Sequence, residues 1–211
     1  MATVLITGAN RGIGLEFCTQ FSGRGDTVIA ACRKPSPELK ALGVRIEEGV
    51  DVSDQASARD LAQRLDGVSV DLLINNAGLL SNESLASLDL DGIRRQFEVN
   101  SLGPLVMTHA LLDRLANPAK VGIITSRMGS VADNSSGGMY GYRMSKAAVN
   151  MAGMSLAQDL KDRGVAVAIL HPGFVKTEMT GHNGNITPAA SVEGLIARLD
   201  GLTLSNTGTF W

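Results

Sequence analysis

The chain has 211 residues, 44% of them hydrophobic and 19% charged, and carries a formal net charge of −2. That composition excludes a disordered chain, and the charge gives no reason to expect nucleic acid or another polyanion as a partner. The length suits one domain, residues 1–211, whose core must rest on Ala, Val, Leu, Ile and eight Met because aromatics are few.

Met1-Ala2 leads at once into an apolar strand at residues 3–6, with no basic segment or small-residue cleavage site before it, so a cytoplasmic location is expected. The strand gives way to Thr7-Gly8-Ala9-Asn10-Arg11-Gly12-Ile13-Gly14, and helical periodicity follows at 13–22. Glycines placed there let a diphosphate sit against backbone N–H groups at a helix N-terminus, where a Cβ would block its approach. They would equally serve a tight strand–helix connection. The second strand, 27–31, runs into Cys32-Arg33-Lys34. An acidic residue at that strand end would accept the ribose 2′-hydroxyl of NAD and repel a 2′-phosphate. Cys32 stands there instead, and the guanidinium groups of Arg33 and Arg11 could grip a phosphate with two hydrogen bonds each, or be solvated surface charges.

Strands are predicted next at 44–47 and 71–74, with a helix at 55–65 between them and Asp51-Val52 after the earlier strand. Asn75-Asn76-Ala77-Gly78 follows the later one. A long helical stretch, 88–115, contains Asn100, a poor helix former whose plainest reading is a surface polar residue. The strand at 121–125 ends in Ser126-Arg127-Met128-Gly129-Ser130, where strand ends of a parallel sheet face the ligand crevice. A helix at 141–162 places Tyr142 and Lys146 four residues apart on one face, whereas Tyr140 lies on another. Such spacing also arises by chance. If it is functional, an ammonium beside the phenol is expected to lower its pKa, as general acid–base work requires. A last strand at 165–170 precedes Pro172-Gly173-Phe174-Val175-Lys176-Thr177, a Gly- and Asn-rich loop at 180–187 taken as mobile, and a helix at 191–199. The tail at 208–211 is a final edge strand or a frayed end. Alternation of strand and helix predicts an α/β fold: a doubly wound Rossmann-type parallel sheet with helices on both faces.

Taken in order, Thr7-Gly8…Gly12-Ile13-Gly14, Asp51-Val52, Asn75-Asn76-Ala77-Gly78, Asn100-Ser101-Leu102-Gly103, Tyr142…Lys146 and Pro172–Thr177 resemble the short-chain dehydrogenase/reductase family over about residues 3–177. The run around Ser126 and Tyr142-Arg143-Met144-Ser145-Lys146, with the Gly-Thr-Phe ending, resembles its C-factor-like and Sniffer-like carbonyl reductase branch. The resemblance implies NADP(H) as cofactor and a small carbonyl or alcohol substrate. It places the cofactor against Gly8, Asn10, Arg11, Gly12, Ile13, Gly14, Arg33, Asp51, Val52, Asn76, Ala77, Gly78, Tyr142, Lys146, Pro172, Gly173, Val175 and Thr177.

It further implies Tyr142 as proton donor, Ser126 as holder of the substrate oxygen, Lys146 as tuner of the phenol, and Asn100 as anchor of a water relay. Ser126 and Tyr142 stand farther apart than in most of the family, the surplus at 133–138 reading as a flexible loop. The alternative is a dinucleotide-binding regulatory or signalling protein of the C-factor type. Family members often pair through the two long helices, so a homodimer or homotetramer is possible, with Met144, Ala147, Ala148, Met151, Met154 and Leu156 serving that contact or the core. No metal site and no membrane span are expected: Cys18 and Cys32 lack zinc-site spacing and read as buried small side chains, and no apolar run approaches the roughly 18 residues that cross a bilayer.

Overall fold

Val4, Leu5 and Ile6 are all fully buried, so the first strand, β1 (Thr3–Thr7), must be covered on both faces. The computed structural model, which describes all 211 residues, supplies both covers. The elements follow as α1 (Gly12–Gly23), β2 (Thr27–Cys32), α2 (Pro37–Ala41), β3 (Arg45–Glu48), α3 (Gln55–Arg64), β4 (Val70–Asn75), α4 (Leu90–Phe97), α5 (Gly103–Ala110), β5 (Leu115–Ile124), α6 (Tyr140–Asp159), β6 (Val165–Leu170) and α7 (Pro188–Asp200). All neighbouring strands pair in parallel, in the order β3-β2-β1-β4-β5-β6. The order reverses between β1 and β4, which is where such sheets open a crevice at their C-terminal edge.

Side-chain alternation along the strands divides the core. Leu5, Ile29, Leu73, Val121 and Val167 pack with Leu61 of α3, Met107 of α5 and Val149 of α6 on one face. Val4, Ile6, Val28, Ile74 and Ala168 pack with Phe17 and Phe21 of α1 and Val192, Leu195 and Leu199 of α7 on the other. Helix starts follow their caps: Ser36 accepts from Leu39 N, Asp54 from Ala56 N, Asp89 from Gly92 N and Thr187 from Ala190 N.

Three expectations need correction. The helix expected over 88–115 is two helices joined by a π-helical turn, Glu98–Leu102, and it ends at Ala110. The turn forms because the Asn100 side chain is drawn out of line to bind backbone at Leu79, and Pro104 restarts the helix. β5 starts six residues earlier than expected, at Leu115. Its first half, with Pro118 and exposed positions, hides the strand pattern, and its register with β4 shifts between Val70 and Leu72. The segment at 180–187 is tied back rather than loose: Lys176 N donates to Ile186 O at 3.0 Å and Asn185 N to Phe174 O at 2.7 Å.

The tail resolves as an edge segment beside β6, where Trp211 N donates to Ile169 O at 3.0 Å and His171 N to Trp211 O at 2.7 Å. Of the six apolar positions on α6, Leu156 is core while Met144, Met151 and Met154 face outward. No helix is long and apolar enough to cross a membrane.

Phe17 and Phe21 of α1 are the bulkiest fully buried side chains of the chain, with ring centres 6.0 Å apart. Phe17→Ala is expected to cost about 3–5 kcal/mol of unfolding free energy in urea titration, with the slope of the transition unchanged.

Candidate active site

A cleft of about 400 Å³ lies along the C-terminal edge of the sheet, at the reversal between β1 and β4. Its floor begins where Thr7 ends β1. The Thr7 hydroxyl, almost fully buried, donates to Ile74 O at 3.4 Å and accepts from Asn76 N at 3.0 Å and Ala77 N at 3.1 Å, using its whole bonding capacity. Asn76 returns the tie, its Nδ2 donating to Thr7 O at 3.0 Å and Gly8 O at 3.2 Å. The two loops are so close that a Cβ on Gly8 would stand 2.7 Å from Ala77 Cα, and one on Gly14 2.2 Å from Gly8 O. Glycine is demanded at both positions by backbone approach, and Gly8 also has a φ of +65°.

Gly8, Asn10, Arg11, Gly12 and Ile13 form the wall at the start of α1, where free N–H groups and the helix dipole favour an anion. Asn76, Ala77, Gly78, Pro172, Thr177, Tyr142 and Lys146 line the middle, and Arg33, Asp51 and Val52 the far end. Gly14, Asn100, Ser126, Gly173 and Val175 lie outside the wall. Gly14 backs the loop. Val175 is buried and bridges to Ile186, and Gly173 faces the Ile186 side chain, so both support the strap that carries Thr177 rather than the cleft itself.

The far end is polar and charged. Burial alone would push Asp51 upward, but hydrogen bonds from Ser53 and the charges of Arg33 and Arg95 outweigh it and hold the carboxyl below its ordinary range. Arg33 and Lys34 are exposed there, and no carboxylate follows β2. Across the mouth, Arg11 pairs with Glu178 at 2.5 Å. Lys34, Glu178, Met179, Leu79 and Val99 join the wall without having been anticipated. Lys34 was readable as the second cation after β2, while Glu178 and Met179 come to the cleft only through the turn after Thr177.

At the other end α6 brings Tyr142 and Lys146 together, with Lys146 Nζ 5.6 Å from the centre of the Tyr142 ring and donating to Ile124 O at 3.0 Å. Tyr140 opens the helix one residue before Gly141 and does not take this place. Ser126, two residues beyond the end of β5, lies beside them and caps the next turn by accepting from Met128 N at 3.1 Å. The surplus loop does not pull Ser126 away: it is folded on itself by an Arg127–Asp133 ion pair at 3.0 Å and Gly137 N bonding to Asn134.

The phenol departs from expectation. Burial pushes Tyr142 above its ordinary value, with the Ser126 hydroxyl opposing, and burial pushes Lys146 down to about 8. Desolvation is the larger effect on the phenol, and the Lys146 ammonium, 5.6 Å from the ring centre, donates to the Ile124 carbonyl. Asn100 Nδ2 spends both hydrogens, on Leu79 O at 2.8 Å and Ser145 Oγ at 3.0 Å, and Oδ1 accepts from Leu79 N at 2.8 Å. One lone pair of Oδ1 is what the side chain has left for a water.

A family profile described as short chain dehydrogenase matches residues 2–186. The 1-hydroxy-2-glutathionyl-2-methyl-3-butene dehydrogenase of Rhodococcus sp. (strain AD45) is 47% identical over 216 residues, covering 100% of this chain and 96% of that protein. The C-signal protein of Myxococcus xanthus is 44% identical over 145 residues, covering 67% of this chain and 87% of its own. Among solved structures, NADPH-bound carbonyl reductase from chicken fatty liver superposes with a TM-score of 0.91 at 31% identity, over 100% of this chain and 95% of that one. The chain belongs to the short-chain dehydrogenase family.

The Thr7 hydroxyl is the joint of the cleft, and Val has its shape without its oxygen. Thr7→Val is expected to lose about 1–3 kcal/mol of stability, chiefly from the stranded Ala77 N–H, and to weaken NADPH binding measured by calorimetry.

Proposed function

We propose that this chain is an NADP(H)-dependent oxidoreductase that interconverts a carbonyl compound and an alcohol, with Tyr142 as the acid–base group. The observation that carries this reading is the juxtaposition of a recessed Tyr142–Lys146 pair with a cleft whose far end offers Arg33 and Lys34 and no acid after β2. The cradle fits a dinucleotide: the positions where a Cβ would intrude are glycines, and N–H groups and cations line the wall. Gly8, Asn10, Gly12 and Ile13 would hold the diphosphate, Arg11 and Arg33 the 2′-phosphate, and Asp51 and Val52 the adenine end. When bound, NADPH supplies the hydride that reduces the carbonyl carbon.

The protein's own part is positional and protonic. Ser126 donates a hydrogen bond to the carbonyl oxygen and polarises it. Tyr142, held protonated by burial, gives its proton to that oxygen as negative charge develops. The Lys146 ammonium then faces the phenolate and stabilises it, and through its remaining hydrogens binds the nicotinamide ribose. Asn100, in its π-helical turn, keeps Leu79 and Ser145 in place, and its remaining lone pair is suited to the relay water that reprotonates the site. The regulatory alternative is not favoured, since a binding module needs no buried phenol set beside a buried ammonium.

The substrate is a small or variable carbonyl compound, as the short cover after Thr177 suggests. Because a relative 47% identical over its whole length is named for a glutathionyl alcohol, alcohols bearing a glutathionyl group belong in the panel beside aldehydes, ketones, diketones and quinones.

Three outcomes are expected. Tyr142→Phe abolishes carbonyl-dependent NADPH oxidation, by about a hundredfold or more, while binding NADPH as the wild type does; retained turnover would refute the acid assignment. Arg33→Ala weakens NADPH about tenfold and leaves NADH binding unchanged in calorimetry, and wild-type protein that bound NADH as tightly as NADPH would remove the cofactor claim. Reduction is level through neutral pH, because Tyr142 stays protonated, and falls as pH rises through about 8, where Lys146 loses the charge that stabilises the phenolate. The profile of kcat/KM for NADPH tests this, since it reports the free enzyme, and a profile with no break there would reject the role given to Lys146.

A further inference from the structure

Between the cleft-lining turn after β4 and α4, the chain buries a carboxylate. Glu83 is only 4% exposed, and no Lys, Arg or His lies within ion-pair distance of it. An isolated charge in such a place is costly, so its partners reveal what it is for. Glu83 Oε1 accepts from Ser81 Oγ at 2.5 Å and from Gln96 Nε2 at 2.6 Å. Gln96, fully buried on α4, also donates to Ser81 Oγ at 2.8 Å and accepts from Ser81 N at 3.1 Å, so every side-chain polar atom of the Ser81–Gln96 pair is used. Glu83 Oε2 accepts from Gly141 N at 3.2 Å, and Glu83 O accepts from Met139 N at 2.9 Å.

Those last two bonds hold the start of α6. The residue before this helix, Met139, offers no side-chain cap and sits in left-handed backbone, φ +50° and ψ +44°. That conformation is uncommon for a side-chain-bearing residue. The cap therefore comes from elsewhere in the sequence: one carboxylate at the positive end of the helix dipole, with the N–H groups of Met139 and Gly141 both bound to Glu83. The approach is tight, since a Cβ on Gly141 would lie 2.2 Å from Gln96 Nε2. Tyr142 is the next residue.

We infer that Glu83 is a positioning residue of the reaction: by clamping the first turn of α6 from the loop after β4, it holds Tyr142 in line with Ser126 and the substrate oxygen. The same loop carries Leu79 into the cleft, so the clamp fixes the phenol relative to the cofactor wall as well as relative to its own helix. This rests on Tyr142 being the proton donor, and the experiment separates the two claims.

The test compares Glu83→Ala, Glu83→Gln and Tyr142→Phe with wild type, by kcat per NADPH-binding site, KM for the carbonyl, NADPH affinity and melting temperature. Counting NADPH-binding sites removes the effect of a merely smaller folded fraction. Glu83→Ala is expected to lower kcat per site about tenfold or more, with NADPH affinity within about twofold, because a small displacement of a proton donor is expensive in rate. Glu83→Gln keeps the volume but sets an amide hydrogen against a donor, so its loss is expected to be intermediate and at least about threefold.

A Glu83→Ala protein with kcat per site within about threefold of wild type, even if it melts earlier, overturns the inference and leaves Glu83 as a cap for stability alone. Should Glu83→Ala give no folded protein, Glu83→Gln decides by the same threshold. If Tyr142→Phe is inactive while Glu83→Ala is not, only the positioning claim falls. If Tyr142→Phe keeps its turnover, the acid assignment falls, and the positioning claim with it.

Discussion

Two neighbouring parallel strands, β1 and β4, send their chains to opposite faces of the sheet, and at that parting the backbone must be kept from fraying while a groove is left open. The Thr7–Asn76 exchange does this. One hydroxyl and one amide close the gap at its base, and everything above it is free to become a cleft. The tie explains why the loop after β1 needs glycine on both sides of it: side chains at Gly8 and Gly14 would fall on the backbone that the tie draws in. It also sets the direction of α1, and with it the N–H groups that face the groove.

From that joint the two ends of the cleft take on different chemistry. The strands on one side, β2 and β3, end in Arg33, Lys34 and Asp51, on exposed loops where charge stays hydrated. The strands on the other side, β5 and β6, lead to Ser126 and Pro172 beneath α6, where Tyr142 and Lys146 are withdrawn from water. Desolvation moves these two groups in opposite directions, the phenol up from its ordinary value and the ammonium down to about 8, so burial keeps the phenol protonated while making the ammonium the easier of the two to deprotonate. A protein that used Lys146 only for packing would have no reason to enclose its ammonium against the carbonyl of Ile124.

What could be read from the chain, and what could not, follows the range of the interactions. The glycine loop, the both-face apolar strands and the Tyr142–Lys146 face are local patterns, and they stand in the fold as the periodicities indicate. The π turn at Glu98–Leu102 was visible only as a poorly placed Asn100, because its cause, the backbone of Leu79, is 21 residues away. The early start of β5 was hidden by Pro118 and its polar neighbours, since pairing with β4 rather than side-chain alternation makes that stretch a strand. Glu83 gave no signal: a glutamate among Ser and Asn reads as a surface loop, and its role depends on the approach of α4 and α6. The direction of the Tyr142 shift was misjudged for a related reason. Spacing shows that an ammonium is near, but not how strongly burial shifts the phenol and the ammonium.

The ion pair across the mouth bears on how a dinucleotide would enter. Arg11 and Glu178 are each about 60% exposed, and an exposed pair of this kind contributes roughly 0.2–1 kcal/mol. Glu178 is therefore only weakly held to Arg11, and the guanidinium at the mouth is not locked by its present partner. Arg33 faces a different balance, because Asp51 is fastened by Ser53 through two hydrogen bonds and keeps its charge within reach of the guanidinium. Of the two arginines that line the cleft, Arg11 is engaged in an exposed ion pair, while Arg33 is exposed and acts on Asp51 by its charge alone.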